Sequence, residues 1–387
     1  MTLPDKEFDS RISKVKNLAK EKGLDFIFIY FDEYNVMNGR YLTGLWPTIE
    51  RMAVVVSNYS EPFLIGGPEA GPIAKMESKI KLVESSLVFM VPEEEYPEAE
   101  ILNFIQICKK YFGNKKIEKV GIVGVQSLPF QIYHQLENEL KNVEFIDITK
   151  EYETLRYVKS EWEIEMTKKA YEIADEGFKK LIQSVKENKR EYEAAAEAEY
   201  VARKFGADGL GYRTIIGTSK RARAIVPPAS DRFFKKGELV LAGFSPRYNG
   251  YSGTACYPII VGEKKSKTQD KFINDICYAL YLTKEKLKPG LIGKEIDAVP
   301  RKYLIDKGYE KYMLMPFVHS SGLCEYERPF FGPNSEDMIQ ENQVICIDIT
   351  LFGHEEISGI RVETGYKITK NGSVPFSVFM EKLFGFK

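Results

Sequence analysis

Apolar and polar positions along the first part of the chain alternate between two periods. A helical spacing runs through residues 8–21, and DFIFIYF from Asp25 is a continuous apolar run of strand length. RMAVVVS and the PFLIGG segment from Pro62 supply two further strands. Helical spacing returns over 98–111 and again over 130–141, with the strand-like runs KVGIVG from Lys119 and VEFIDI from Val143 between and after them. This order predicts an α/β domain built on an open sheet over residues 1–150.

After Ile148 the segment ITKEYETLRYVKS carries charge and turn residues without periodicity and reads as a boundary to a second domain, 151–387. Ser160 and Glu163 form a capping box. The helix it starts carries an apolar stripe through Ala170, Ile173, Ala174, Gly177, Phe178, Leu181, Ile182 and Val185. A second helix over 192–205 stops at Gly206. Strands over 214–217 and 238–244 follow, and the Asn249-Gly250 turn points to a hairpin completed by TACYPIIVG. Helices over 268–288 and 296–307 and the closing strands VICIDIT and IRVETGYKIT complete an α+β order.

Composition narrows the function class. The 387 residues hold 55 Lys plus Arg against 56 Asp plus Glu, which leaves no long-range field to attract nucleic acid or anionic lipid. No apolar run approaches the roughly 18 residues of a membrane span, so a cytoplasmic protein is expected. Five cysteines without CxxC spacing suggest reduced thiols, and three histidines restrict any histidine-rich metal site.

Three segments carry candidate chemistry. In MPFVHSSGLCEYERPFFGP, His319 is followed closely by Gly322, Glu325, Tyr326, Glu327 and Arg328. In VICIDIT, Asp348 lies within an apolar strand, where a carboxylate needs a partner: a backbone amide or arginine, or else a metal ion or cationic substrate. In IRVET, Arg361 and Glu363 share one strand face while Ile360 and Val362 share the other. On those five residues alone the charged pair reads as a solvated one on an exposed strand.

Taken in order, LRYVKSEWEIEMTKKAYEIADEG, GELVLAGFSPRYNGYSGT, LKPGLIGKEID, HSSGLCEYE and GIRVETGYKITKNG resemble the creatinase/prolidase/aminopeptidase P family. RISKVKNLAKEKGLDFIFI and NGRYLTGLWPTIERMAVVV resemble its N-terminal domain. The resemblance implies a creatinase-type α/β domain followed by an α+β pita-bread catalytic domain. Peptidases of that family hold two metal ions with two aspartates, one histidine and two glutamates. The aspartate positions fall here on Gly243 and Thr254. His319 and Glu363 match the histidine and the last glutamate, and Asp348 stands where a longer glutamate is usual. Two further histidine positions are Tyr326 and Val226.

The expectation drawn from these departures is a metal-independent hydrolase with no cofactor, opening a C–N bond in a small polar or zwitterionic molecule. His319 would act as general acid or base, with Glu363, Asp348 and Tyr326 completing the catalytic group. Arg361, Glu327, Tyr251 and Arg51 would bind substrate, Arg51 resembling an arginine that such N-terminal domains reach across a homodimer interface. One alternative is an Xaa-Pro dipeptidase or aminopeptidase with a reduced metal site, its single divalent ion on His319, Asp348 and Glu363. The other is a non-catalytic pita-bread module that binds peptides or proteins.

Overall fold

The computed structural model describes residues 3–262 and 264–386. It divides into two compact units, Met1–Arg156 and Tyr157–Lys387. Among the described residues no helix is long and apolar enough to cross a membrane.

The first unit is α/β. Its six-stranded sheet runs in the order Val83–Ser85, Phe63–Gly66, Met52–Ser57, Phe26–Phe31, Lys119–Val123, Glu144–Asp147. The central strand Phe26–Phe31 pairs antiparallel with Met52–Ser57 and parallel with Lys119–Val123. Every residue of that central strand is buried, which explains its unbroken apolar run. Phe26, Phe28 and Tyr30 share a core with Phe104, Ile107, Ile132 and Leu136. Helices Phe104–Phe112 and Phe130–Glu139 supply those last four residues.

Two expectations need correction here. The helix read over 98–111 begins only at Phe104, because Asn103 and Gln106 form a capping box that sets its start. The stretch read as an aperiodic boundary contains the helix Thr149–Thr154. One side chain anchors that helix: Tyr152 is fully buried and its hydroxyl donates to the Asn38 carbonyl at 2.7 Å.

The second unit is α+β. Helix Glu161–Ser184 starts at the Ser160–Glu163 capping box and buries the stripe read from the sequence through Leu181, with Ile182 half-buried and Val185 buried just past its end. The Asn249-Gly250 turn, with φ of 49° and 85°, joins Pro246–Tyr248 to Tyr251–Ser252. Ala255–Cys256 and Ile259–Ile260 then pair back onto Leu239–Phe244.

The hairpin sits in a small three-stranded sheet, whereas Leu239–Phe244, Ala255–Cys256 and Ile259–Ile260 belong to a nine-stranded sheet whose longest members, Val344–His354 and Ser358–Thr369, lie antiparallel side by side. The register sets Asp348 opposite Glu363, Thr350 opposite Arg361, and Ile349 opposite Val362. Ile345, Ile347, Ile349, Leu351, Ile360 and Val362 enter the main apolar core. Because strand side chains alternate, Cys346, Asp348, Thr350, Arg361 and Glu363 all project from the opposite face.

Candidate active site and metal centre

That opposite face is also sealed from solvent. Arg361 is 4% exposed and Glu363 2%, so the solvated charge pair suggested by IRVET alone is not what the sheet contains. Val318–Ser320 flanks Val344–His354 and places His319 level with Cys346. A register shift between His319 and Ser320 follows on the neighbouring strand Glu327–Phe331. The irregular chain it admits, residues 321–326, returns Glu325 to the same centre.

Four donors converge there. Ligand atoms of His319, Glu325, Cys346 and Glu363 all lie within 4.8 Å of one another, and all four residues are buried. His319 Nε2 is 3.3 Å from Glu363 Oε1. Its Nδ1 faces the Ser320 carbonyl at 3.0 Å. In a neutral ring that contact places the proton on Nδ1 and leaves the Nε2 lone pair directed into the cluster, as metal ligation requires.

The protonation pattern follows from burial and crowding. Desolvation opposes the imidazolium, but the hydrogen bond to Glu363 and the charge of Glu325 outweigh it, and the His319 pKa rises to about 9. Burial, reinforced by the nearby Glu363 charge, pushes the Glu325 carboxyl up to about 8. Burial pushes Glu363 up as well, yet hydrogen bonding from His319 and the charge of Arg361 prevail and hold it below the usual carboxylate range. Burial and the neighbouring Glu363 charge thus both favour the protonated form of Glu325, which shares a side-chain hydrogen bond with Glu363. Burial also drives the Cys346 thiol well above its ordinary value.

Asp348 takes a different course. Arg361 Nε donates to its Oδ1 at 3.0 Å and Nη2 to its Oδ2 at 2.9 Å. The Thr350 hydroxyl also donates to Oδ1. Of the partners open to Asp348 from sequence, the arginine is the one the structure supplies, and the three-ligand set His319, Asp348, Glu363 is replaced by one in which Glu325 and Cys346 join His319 and Glu363. Residues 243 and 254 contribute no carboxylate. A Cβ on Gly243 would sit 2.7 Å from Cys256 Sγ, and Cys256 Sγ in turn donates to Glu363 Oε2 at 3.2 Å. Thr254 Oγ1 lies 3.2 Å from both Ser245 Oγ and Glu325 Oε1.

The remaining candidates are spread around this centre. Tyr326 is 40% exposed, its ring 4.6 Å from the His319 ring and stacked on Phe330 at 4.5 Å. Glu327 accepts from the buried Lys159 Nζ at 2.7 Å and is an ion-pair partner. Tyr251 is buried, donates to Glu163 Oε1 at 2.9 Å and packs edge-on against Trp162, a structural placement. Arg51 lies in the first unit beside the Tyr30 hydroxyl, at the start of Met52–Ser57. Glu325 and Cys346 were missed as site residues. For Cys346 the available signal was its position two residues before Asp348 on one strand face.

A model of metallopeptidase family M24 matches residues 165–370, and one of the creatinase/prolidase N-terminal domain matches residues 11–158. An Xaa-Pro dipeptidase of Pyrococcus horikoshii is 30% identical over 327 residues, covering 83% of this chain and 91% of that protein. The Xaa-Pro dipeptidase of Pyrococcus furiosus is 32% identical over 292 residues, 73% and 82% of the two chains. The solved prolidase of Pyrococcus horikoshii OT3 superposes with a TM-score of 0.81 at 27% identity, over 95% of this chain and 97% of that one.

The expectation of a cofactor-free, metal-independent centre is overturned by two findings. The matching family is one of metallopeptidases, and the chain gathers one imidazole, two carboxylates and one thiol, donors suited to a divalent ion, at a single buried point. With a family model spanning more than half of its length and a dipeptidase relative aligned along most of it, the chain belongs to metallopeptidase family M24 and is a hydrolase acting on C–N bonds.

Proposed function

We propose that this protein is a metal-dependent peptidase of short peptides, Xaa-Pro dipeptides foremost, working at the buried centre around His319 and Glu363. The observation that carries the reading is the convergence of His319, Glu325, Cys346 and Glu363 within one ligand sphere in an M24 chain. The relatives named as Xaa-Pro dipeptidases support the substrate class. A dipeptide is itself a small zwitterion, the kind of molecule the sequence pointed to.

A divalent ion held by these four residues supplies Lewis acidity and a nucleophilic water at neutral pH. The surrounding side chains orient the substrate. The Tyr326 ring, backed by Phe330, forms a flat apolar wall beside His319 against which a proline ring packs. The Lys159–Glu327 pair, buried on both sides, fixes the strand that follows Tyr326. The Asp348–Arg361 pair keeps a rigid polar floor next to Glu363. We further propose the homodimer as the working assembly, which light scattering tests.

The deciding experiment incubates the metal-supplemented protein with Ala-Pro, Leu-Pro, Ala-Ala and creatine and follows product release. Proline release from Xaa-Pro dipeptides, abolished by a chelator, is the expected result. Metal-loaded protein that leaves every dipeptide intact overturns the reading, and selective hydrolysis of creatine moves the substrate to guanidino compounds.

A further inference from the structure

The buried polar face holds two acidic groups that differ in how their charge is balanced. Both oxygens of Asp348 are taken by Arg361 in a paired, nearly parallel arrangement. The Arg361 Nε also donates to the Thr350 hydroxyl oxygen at 2.9 Å. A cation of the protein therefore already occupies the Asp348 half. The other half, with Glu325, Glu363 and two thiols, has His319 as its contacting positive partner and feels the Arg361 charge without a guanidinium contact of its own among the described residues.

Ligand supply divides the same way. Two bridged ions about 3.5–4 Å apart would each need carboxylates of their own. Asp348 is committed to Arg361, Gly243 has no side chain and Cys256 Sγ crowds the place of its Cβ, and Thr254 offers a hydroxyl. The four converging donors suffice for one ion. A tetrahedral ion with ligand distances of about 2.0–2.3 Å sets its donors about 3.3–3.8 Å apart, and the present spread of up to 4.8 Å closes to that by small side-chain movements. One of the four is sulfur: Cys346 Sγ, whose neighbour is the Tyr171 hydroxyl at 3.4 Å.

We propose that this centre binds a single thiophilic divalent ion through His319, Glu325, Cys346 and Glu363, with the Arg361 guanidinium supplying the charge a second ion would bring. Sulfur ligation favours Zn²⁺, Co²⁺ or Fe²⁺ over Mn²⁺ or Mg²⁺. The proposal rests on the metal-dependent reading of the centre and adds its stoichiometry, its sulfur ligand and its metal preference.

The test uses the full chain, stripped by chelation and reloaded with Co²⁺ under reducing conditions. One cobalt per chain by elemental analysis, together with a near-ultraviolet thiolate-to-cobalt charge-transfer band, is the expected result. Cys346→Ser should remove the band and weaken cobalt binding by about 100-fold or more, beyond what loss of an outer partner costs. The double variant Arg361→Met/Asp348→Leu should keep one cobalt and the band, since neither residue is a ligand. Two cobalt ions per chain, no binding, or a bound ion without the band each overturn the proposal. One ion with the band but no dipeptide cleavage overturns the peptidase reading alone, whereas cleavage by an enzyme lacking the band overturns this inference alone.

Discussion

Both units bury a central strand on its two faces, and they spend that burial differently. In Phe26–Phe31 every residue is apolar, so the strand serves as a slab between packed helices. Val344–His354 is as deeply buried over most of its length, yet only one of its faces, Ile345, Ile347, Ile349 and Leu351, is apolar. Its other face presents Cys346, Asp348 and Thr350 to Arg361 and Glu363 of the neighbouring strand. Polar groups sealed from water must satisfy one another or bind something that does. Alternation in a sequence therefore need not mean water on one side; here it separates a packing face from a chemical one.

That contrast is broken most directly at His319. His319→Ala should lower kcat/KM for Xaa-Pro hydrolysis by at least about a hundredfold while far-ultraviolet circular dichroism stays native. Unchanged activity would remove the polar face from the chemistry. Phe28→Ala, in the all-apolar strand, should do the reverse: a loss of about 3–5 kcal/mol in urea unfolding with metal content unaltered. Arg361→Met tests whether the polar face is internally balanced. Leaving Asp348 buried and unpaired should cost about 3–5 kcal/mol, and adding Asp348→Leu should recover most of it. A single variant as stable as wild type would mean that Asp348 draws little from Arg361.

The same contrast explains what could be read in the sequence. The strand of the first unit was legible because FIFIYF is an unbroken apolar run of strand length made wholly of β-branched and aromatic residues, which decides between a buried strand and a buried helix. The need of Asp348 for a partner was legible too, from the cost of a lone charge among isoleucines. Which partner it took was not, because Arg361 lies on another strand and only the ten-pair register between Val344–His354 and Ser358–Thr369 brings the two side by side. The parity of Arg361 and Glu363 was read as the sheet has it; their burial was not, since five residues carry no record of the strands and helices that cover them. Glu325 reaches the centre through the irregular segment after His319, which no periodicity describes. Thr149–Thr154 is one and a half turns held by Tyr152, too short for a helical stripe to show.

The smallest effect is expected at Thr350, and it separates a satisfied network from a merely crowded one. Its hydroxyl donates to Asp348 Oδ1 and accepts from Arg361 Nε at 2.9 Å, so it closes a three-membered ring of charge-assisted contacts inside the sheet. Thr350→Val keeps the shape and removes both contacts. Because Arg361 Nε retains Asp348 Oδ1 at 3.0 Å, neither ion is left without a partner. The loss should then be that of hydrogen bonds to charged groups, about 1–3 kcal/mol in urea unfolding, with metal content unchanged. A loss equal to that of Arg361→Met would show that Thr350 holds the ion pair together, making the pair conditional on it. No loss at all would show that the pair is complete without the hydroxyl, and that the polar face owes its order to Arg361 alone.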